Sequence, residues 1–285
     1  MPLLFSDAEE HGPLRLFVRK APGAPYYGGP GHAQPVGGAP VGAADIERVR
    51  AKQRELGVPQ AFEWLAEGAP ALRARIEAAG LPVLERPLMT HDRHHAVAPQ
   101  PLPDGVRVRA LTADDPALAA ALALPRLAFA EPGTRQSSAG AAELWHLAAD
   151  LTADGTVATR RPGLAAGPKT LVAALADDGT PLAVGHYHPA GGTTGIGGIG
   201  TLPTVRRQGL AAAVTTALVT HARAHGVHTV FLAPADEAGT EAGDRLCARL
   251  GFRPAGTTLL IADQPARSQR RRTPLNGRAR RARRG

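Results

Sequence analysis

The segment from Gly197 to Ala213 places the strictest limits on how this 285-residue chain can fold. It predicts a strand that ends near Thr201, a bend at Pro203, and a helix that opens at Gly209 and carries mostly small residues in its first turns. The free N–H groups at a helix start form an anion site, and small side chains let a phosphate approach the backbone. No Asp or Glu occurs from residue 179 to 235, so no sequence neighbour repels an anion. We therefore expect a strand–turn–helix unit that binds phosphate.

The pattern of the second half predicts an α+β fold. Three strand-like runs between Thr170 and Leu202 are separated by the turn signals Asp178-Gly179 and Gly191-Gly192. With the flanking runs they give the order β-α-α-β-β-β-α-β-α-β, in which the first helix opens at Asp114 and is stopped by Pro125. This order predicts a mixed sheet flanked by helices, antiparallel early and parallel around the long helix that opens at Gly209.

The first half gives a sparser pattern. Twelve of the 24 residues from Ala21 to Ala44 are Gly or Pro, which predicts a loop. Asp45 is expected to cap an amphipathic helix, followed by a strand, a second helix and a strand ending at Met89. This helix–strand–helix–strand order mirrors the end of the second half. We predict a smaller α/β subdomain, interpreted as a degenerate half-copy of the same fold that packs against or completes the sheet and holds no cofactor.

The formal net charge of +8 belongs to one end of the chain. Nine arginines and no acid occur from Gln264 to Gly285, so the other 263 residues carry a net charge of −1. Blocks of like charge are usually solvated and disordered. Nucleic-acid contact by this tail is a less favoured alternative, because no aromatic residue is interleaved for base stacking. The predicted divisions are a subdomain over 1–95, a Pro-rich linker over 96–104, a main domain over 105–262 and an Arg-rich tail over 263–285.

Composition also excludes several classes of protein. A single cysteine rules out an internal disulfide framework and any multi-cysteine metal site, and no metal site is predicted. No apolar run approaches 18 residues, and the N-terminal residues lack the basic-then-apolar pattern of a signal peptide. We expect a cytoplasmic protein without a membrane contact.

Two motifs carry a family resemblance. Residues 206–211, Arg-Arg-Gln-Gly-Leu-Ala, resemble the Arg/Gln-x-x-Gly-x-Gly/Ala acyl-CoA signature of the GNAT superfamily of N-acetyltransferases. About 40 residues later, Arg-Leu-Cys-Ala-Arg-Leu-Gly-Phe at 245–252 resembles the family's late helix. The resemblance covers about residues 105 to 262, and the Pro/Gly-rich first half is similar to the N-terminal extension of actinobacterial members. A dinucleotide-binding interpretation of Gly195–Gly200 is disfavoured, because no helix opens directly after it and no acid follows until Asp236.

The resemblance implies transfer of an acetyl group from acetyl-CoA, as co-substrate, to a primary amine of a small molecule or peptide. The alternative is an acyl-CoA-binding module with weak or no catalysis. By position in the family, a strand end would hold the pantetheine arm and the acetyl carbonyl; its residues are Ile199, Gly200 and Thr201. The following loop and helix start would donate backbone N–H groups to the diphosphate; their residues are Arg207, Gln208, Gly209, Leu210, Ala211 and Ala212.

The catalytic groups are left unassigned, as are the acceptor and the oligomeric state. Cys247 stands where the family usually has a tyrosine that protonates the leaving thiolate, and Gly195 stands where many relatives carry a glutamate base. The helical spacing of Cys247 favours a buried, inert thiol over a proton donor. His186 and His188 share one strand face, where a structural role is favoured over a base. Thr240 is interpreted as a helix N-cap rather than a cofactor contact.

Overall fold

The computed structural model describes residues 6–20, 31–95, 97–131, 133–167, 169–234 and 241–262. Predictions for Thr240 and for the tail over 263–285 lie outside these residues. Within them, no helix is both long and apolar enough to cross a bilayer.

Both halves of the chain contribute strands to one sheet and helices that flank it. The first half contains β1 Ser6–His11, β2 Leu14–Arg19, β3 Gly31–Pro35, α1 Ala43–Glu55, β4 Ala61–Leu65, α2 Leu72–Ala78 and β5 Leu84–His91. The second half contains β6 Arg107–Leu111, α3 Leu118–Ala130, α4 Ala141–Ala153, α5 Thr156–Ala165, β7 Thr170–Leu175, β8 Pro181–Ala190, β9 Thr193–Thr201, α6 Leu210–Ala224, β10 Thr229–Leu232, α7 Glu241–Arg249 and β11 Phe252–Ala262.

The sheet has eleven strands in the order β1-β2-β3-β4-β11-β5-β10-β9-β8-β7-β6. Among the described strand pairs, only β3–β4 and β9–β10 are parallel, and each is bridged in the chain by a helix, α1 or α6. The two halves exchange strands at the centre: β5 lies between β11 and β10, while β11 lies between β4 and β5. The predicted mixed α+β sheet is confirmed, and the shared order of elements fits the interpretation of the first half as a degenerate copy. The proposed domain boundaries stay a prediction.

Helices cover both faces of the second half of the sheet. One core cluster packs α6 against β8 and β9, and a second packs α3 and α4 on the opposite face. Gly185 on β8 shows how closely α6 approaches, because a Cβ there would lie 2.8 Å from Leu218 Cδ1 and 3.1 Å from Val214 Cγ1. A third cluster packs α1 and α2 against the first-half strands and β11.

The helix limits differ from expectation at three positions. The first helix of the second half, predicted to open at Asp114, begins at Leu118. Pro125 does not stop the first helix of the second half, since α3 runs through it to Ala130. Leu124 and Ala128 on either side are buried against the sheet, and this packing offsets the hydrogen bond that proline removes. In the first half, Gly42 is the N-cap of α1, and Asp45 is the third helical residue rather than the cap.

Some elements were not anticipated. The segment predicted as a loop over 21–44 contains β3, and the hairpin of β1 and β2 precedes it. Helix α5 was also missed, because its sequence includes Pro162 and Gly163, which are signals for a loop.

Candidate active site

Strand β9 has an open edge. It pairs with β10 only at the three positions from Thr193 to Gly195, whereas its pairing with β8 continues to Thr201. The ladder between the two parallel strands ends at Gly195, close to the end of β10 at Leu232, and in the described structure the backbone of residues 196–201 has no strand partner on the β10 side. An extended ligand can bind to such an edge as an added strand does.

Close packing around this edge leaves no room for side chains at two glycines. Gly198 has φ +62°, and a Cβ there would lie 2.6 Å from Cε1 of His186. A Cβ at Gly200 would lie 3.0 Å from Ala128 Cβ on α3. The three strand-end residues predicted to bind cofactor, Ile199, Gly200 and Thr201, all lie on the open part of β9.

The loop that follows β9 brings a row of backbone N–H groups to the start of α6. Arg207 and Gly209 have φ values of +67° and +79°, and Gly209 is the N-cap of the helix. The first N–H to join the helical pattern is that of Ala213, which donates to the carbonyl of Gly209 at 3.0 Å. Among the described residues, nothing accepts a hydrogen bond from the six N–H groups of 207–212. These are the six loop and helix residues predicted for the diphosphate.

Arg206, the first residue of the acyl-CoA-like motif, has a structural role that sequence reasoning missed. Its buried guanidinium donates to the carbonyls of Ala128 at 2.8 Å, Glu131 at 2.7 Å and Arg135 at 3.0 Å. In return, the side-chain amide of Gln136 donates to the carbonyl of Arg206 at 3.1 Å. These hydrogen bonds hold the connection between α3 and α4 against the loop that leads from β9 into α6, which we call the phosphate-type loop. No local pattern predicts this, because the partners lie about 70 residues apart.

A cluster of basic side chains lies on the α3–α5 face of the sheet, beside the open edge. His188 pairs with Gly195, the last residue of β9 that also pairs with β10, and its ring contacts that of His186 edge-on. Lys169 lies just before β7, next to His188, and Arg160 faces the cluster from α5.

The structure keeps both imidazoles neutral near pH 7. Burial, followed by the charge of Lys169, lowers the pKa of His188 to about 3 and that of His186 well below its usual value. A lowered pKa makes an imidazole a weak proton acceptor, so the cluster places two unprotonated but weakly basic rings next to the open edge of β9.

Cys247 lies in the core that packs around α6. Burial, followed by the charge of Asp244, raises its pKa to about 11. The thiol is therefore protonated at neutral pH and unsuited to form a thiolate that would carry an acyl group. Among the residues described, no three His, Cys, Asp or Glu side chains come together in a way that could hold a metal ion.

Comparison with protein families gives this site a context. Residues 142–252 match the model of the acetyltransferase (GNAT) family. The match assigns residues 142–252 to a GNAT acetyltransferase domain. The matched segment includes the open edge of β9, the row of N–H groups, the basic cluster and Cys247.

Solved structures extend the likeness in fold beyond the GNAT domain. A GCN5-related N-acetyltransferase from Kribbella flavida is 21% identical with a TM-score of 0.62, over 92% of this chain and 91% of that one. A second, from Sphaerobacter thermophilus, is 17% identical with a TM-score of 0.57, over 87% and 76%. A tandem GNAT protein from the clavulanic acid biosynthesis pathway is 15% identical with a TM-score of 0.54, over 87% and 82%. No curated protein sequence matches this chain significantly.

Proposed function

We propose that the protein transfers an acetyl group from acetyl-CoA to a primary amine. The observation that carries this proposal is the row of six N–H groups at residues 207–212, which have no acceptor within the described structure. Such groups at a helix start favour a phosphate ligand, and the small Gly209, Ala211 and Ala212 leave the backbone accessible. The absence of acids from residue 179 to 235 supports the same ligand.

The open edge of β9 supports a thioester ligand rather than a bare nucleotide. It leads directly into the phosphate-type loop, so a ligand with its diphosphate at Gly209 can continue along Thr201, Gly200 and Ile199 as an extended arm. The pantetheine arm of CoA carries amides that can pair with a strand edge. In this arrangement the thioester lies near the point where the ladder between β9 and β10 ends.

The proposed chemistry is direct transfer. The acceptor nitrogen attacks the thioester carbonyl carbon, the new C–N bond forms, and the C–S bond breaks to release CoA as a thiolate that takes up a proton. The amine loses its own proton to a base. This base is left unassigned, because the ring of His186 lies against Gly198 on the open strand but its lowered pKa makes it a weak proton acceptor. A covalent acyl-cysteine route is disfavoured by the buried, protonated thiol of Cys247.

Gly209→Glu tests the phosphate site. Its side chain would enter the anion's position, and we expect CoA binding to weaken by about 3 kcal/mol or more through a lost charge-assisted contact plus repulsion. Gly155→Glu is a matched control, because Gly155 is the N-cap of α5 with φ +78° and ψ +1°, against +79° and −2° at Gly209. Both variants carry the same backbone strain. Calorimetric titration with CoA, alongside thermal melts, should show lost affinity in the first variant only.

A turnover assay separates the proposed enzyme from the alternative binding module. The departures at Gly195 and Cys247 motivate that alternative, since they remove the family's usual base and acid. Acetyl-CoA is incubated with a panel of primary amines, and free thiol is measured. Release of CoA that depends on the amine supports the enzyme. Tight CoA binding without turnover of any amine would support the binding module instead. In the titrations of the two glycine variants, equal loss of CoA affinity in Gly209→Glu and Gly155→Glu would contradict the phosphate site.

A further inference from the structure

Lys169 differs from the other lysines of this chain. The sequence contains three, and Lys20 and Lys52 pair with Asp7 at 3.9 Å and Glu55 at 2.8 Å on the surface. Lys169 is partly buried, and its ammonium group makes no hydrogen bond or ion pair with any residue that the structure describes. A cation withdrawn from water without a partner is costly, so its position requires an explanation.

The groups around Lys169 increase this cost. Arg160 faces it from α5, and His186 and His188 face it from β8. Desolvation, followed by the charge of Arg160, lowers the pKa of Lys169 to about 8, and no carboxylate counteracts this shift. Within the described residues, the charged or titratable groups that face the ammonium are therefore cations or neutral imidazoles. The described part of the chain gives Lys169 no anionic partner, and a ligand can supply one.

The position of the cluster relates it to the acceptor. Lys169 directly precedes Thr170, which pairs with Tyr187, so its register position lies opposite His188. His188 pairs with Gly195, and the same row continues to Phe231 on β10 and Thr90 on β5. With neighbouring strands about 4.8 Å apart, Lys169 is about 10 Å from Gly195, where the ladder between β9 and β10 ends. An amine at this point can thus reach Lys169 with a second group only a few bonds away.

We propose that Lys169 binds the carboxylate of the acetyl acceptor, so that the acceptors are primary amines that carry a nearby carboxylate, the class to which free amino acids belong. This inference rests on the proposed acetyl transfer. His188 lies between Lys169 and Gly195 and borders the space that the acceptor would occupy. The acceptor's carboxylate would supply the missing counter-charge and orient its amine toward the open edge of β9.

The test compares each standard L-amino acid with its α-amide, which keeps the amine and removes the carboxylate charge. For at least one amino acid we expect kcat/KM to exceed that of the amide by about tenfold or more, as a charge-assisted contact implies. Lys169→Met should reduce this ratio to about one, while Lys169→Arg should retain it. Lys52→Met is the matched control and should leave the ratio unchanged. Equal ratios in the parent and in Lys169→Met would overturn the inference.

Two further measurements separate the inference from the proposed function. Calorimetric titration of Lys169→Met with CoA should give the parent affinity, and a drop of tenfold or more would assign the anion site to a phosphate of CoA, against the inference. Titration of the CoA-bound protein with the same amino acids reports binding without turnover. Lys169-dependent binding in a protein that acetylates nothing would support carboxylate binding at Lys169 and contradict the proposed acetyl transfer. Acetylation of amides and amino acids at equal rates would support the enzyme and remove the inference.

The pH dependence provides an independent readout. Lys169 loses its charge as pH rises through about 8, whereas arginine at this position keeps its charge. The preference for the carboxylate over the amide should therefore decline above about pH 8 in the parent and persist in Lys169→Arg. The amines of an amino acid and of its amide differ in pKa, so their own titration would change the ratio of the two kcat/KM values. Each kcat/KM is therefore calculated for the concentration of unprotonated amine. A preference that declines identically in both proteins would contradict the assignment to Lys169.

Discussion

Helices α1 and α6 begin in comparable places in the two halves, each after a strand and before its parallel neighbour, yet their first turns differ in charge and accessibility. At α1, the carboxylate of Asp45 accepts a hydrogen bond from the N–H of Gly42 at 2.7 Å and also contacts Arg48. At α6, Ala212 occupies the same third helical position, and the preceding N–H groups have no acceptor in the described structure. The start of α1 thus has a carboxylate of its own chain that accepts from the N–H of Gly42, whereas the start of α6 has no such acceptor among the described residues.

The comparison shows that the order of elements does not by itself create an anion site. Both helices have the same dipole direction relative to their strands, and both are preceded by glycine. One acidic residue in the first turn supplies the negative charge that a phosphate would bring. The prediction that the first half holds no cofactor therefore has a specific physical basis in Asp45, and it stays a prediction until binding stoichiometry is measured.

The largest expected effect comes from placing an acid in the first turn of α6. Ala211→Asp introduces a carboxylate at the second helical position, and we expect CoA affinity to fall by about 3 kcal/mol through repulsion and competition for the N–H groups. Ala44→Asp puts the same residue at the second position of α1 and should leave CoA affinity unchanged. Titration calorimetry of both variants gives the comparison. If the two variants bind CoA equally well, the difference between the helix starts has no functional meaning.

A smaller effect is expected from Arg206, which holds in place the loop between β9 and α6. Arg206→Ala removes hydrogen bonds from a charged donor to three backbone carbonyls, and we expect the free energy of unfolding to fall by about 2 to 3 kcal/mol. Arg207→Ala is the neighbouring control, because Arg207 is exposed and should change stability by less than about 0.5 kcal/mol. Urea denaturation measures both. Similar losses in the two variants would mean that the buried contacts of Arg206 do not hold the loop.

The smallest effect is expected at the start of α1, where Asp45 of the same helix supplies a hydrogen-bond acceptor. Asp45→Ala removes the acceptor for the N–H of Gly42 and should lower the free energy of unfolding by about 1 kcal/mol. Asp45→Asn, which keeps an acceptor oxygen, should recover part of this loss. CoA affinity at α6 should be the same in both variants and in the parent. Unchanged stability in Asp45→Ala would show that the carboxylate does not cap α1.

The sequence predicted the local parts of the site better than its distant contacts. The limits of β9 and α6 follow from residues that are adjacent in the chain, since Pro203 bends the backbone and Gly209 adopts the left-handed conformation that starts the helix. The shared face of His186 and His188 also follows from strand alternation. The position of Lys169 beside the two histidines depends on the register of β7 on β8, and no local sequence pattern specifies that register.

Long-range packing accounts for the remaining differences. Pro125 was expected to end a helix on local grounds, but burial of the surrounding residues favours its continuation. The exchange of β5 and β11 between the halves joins residues far apart in sequence, so the sequence alone left open whether the first half packs against the sheet or completes it. The positions of Ile199, Gly200 and Thr201 on the open edge could be predicted because a resemblance in motif order supplied the missing topology.

The exchange of β5 and β11 also affects how the chain can assemble. His91 pairs directly with Phe252, which follows it by 161 positions, so β5 leaves the ribosome long before its partner is made. Until then β4 and β5 each present an unsatisfied edge, and such edges are sites of aggregation and mispairing. Synthesis and folding are thereby coupled across nearly the whole described chain. A polypeptide cleaved between β5 and β6 would yield two incomplete fragments, each holding the strand that fills the gap in the other, and reassembly of separately expressed fragments becomes the natural route to an intact sheet.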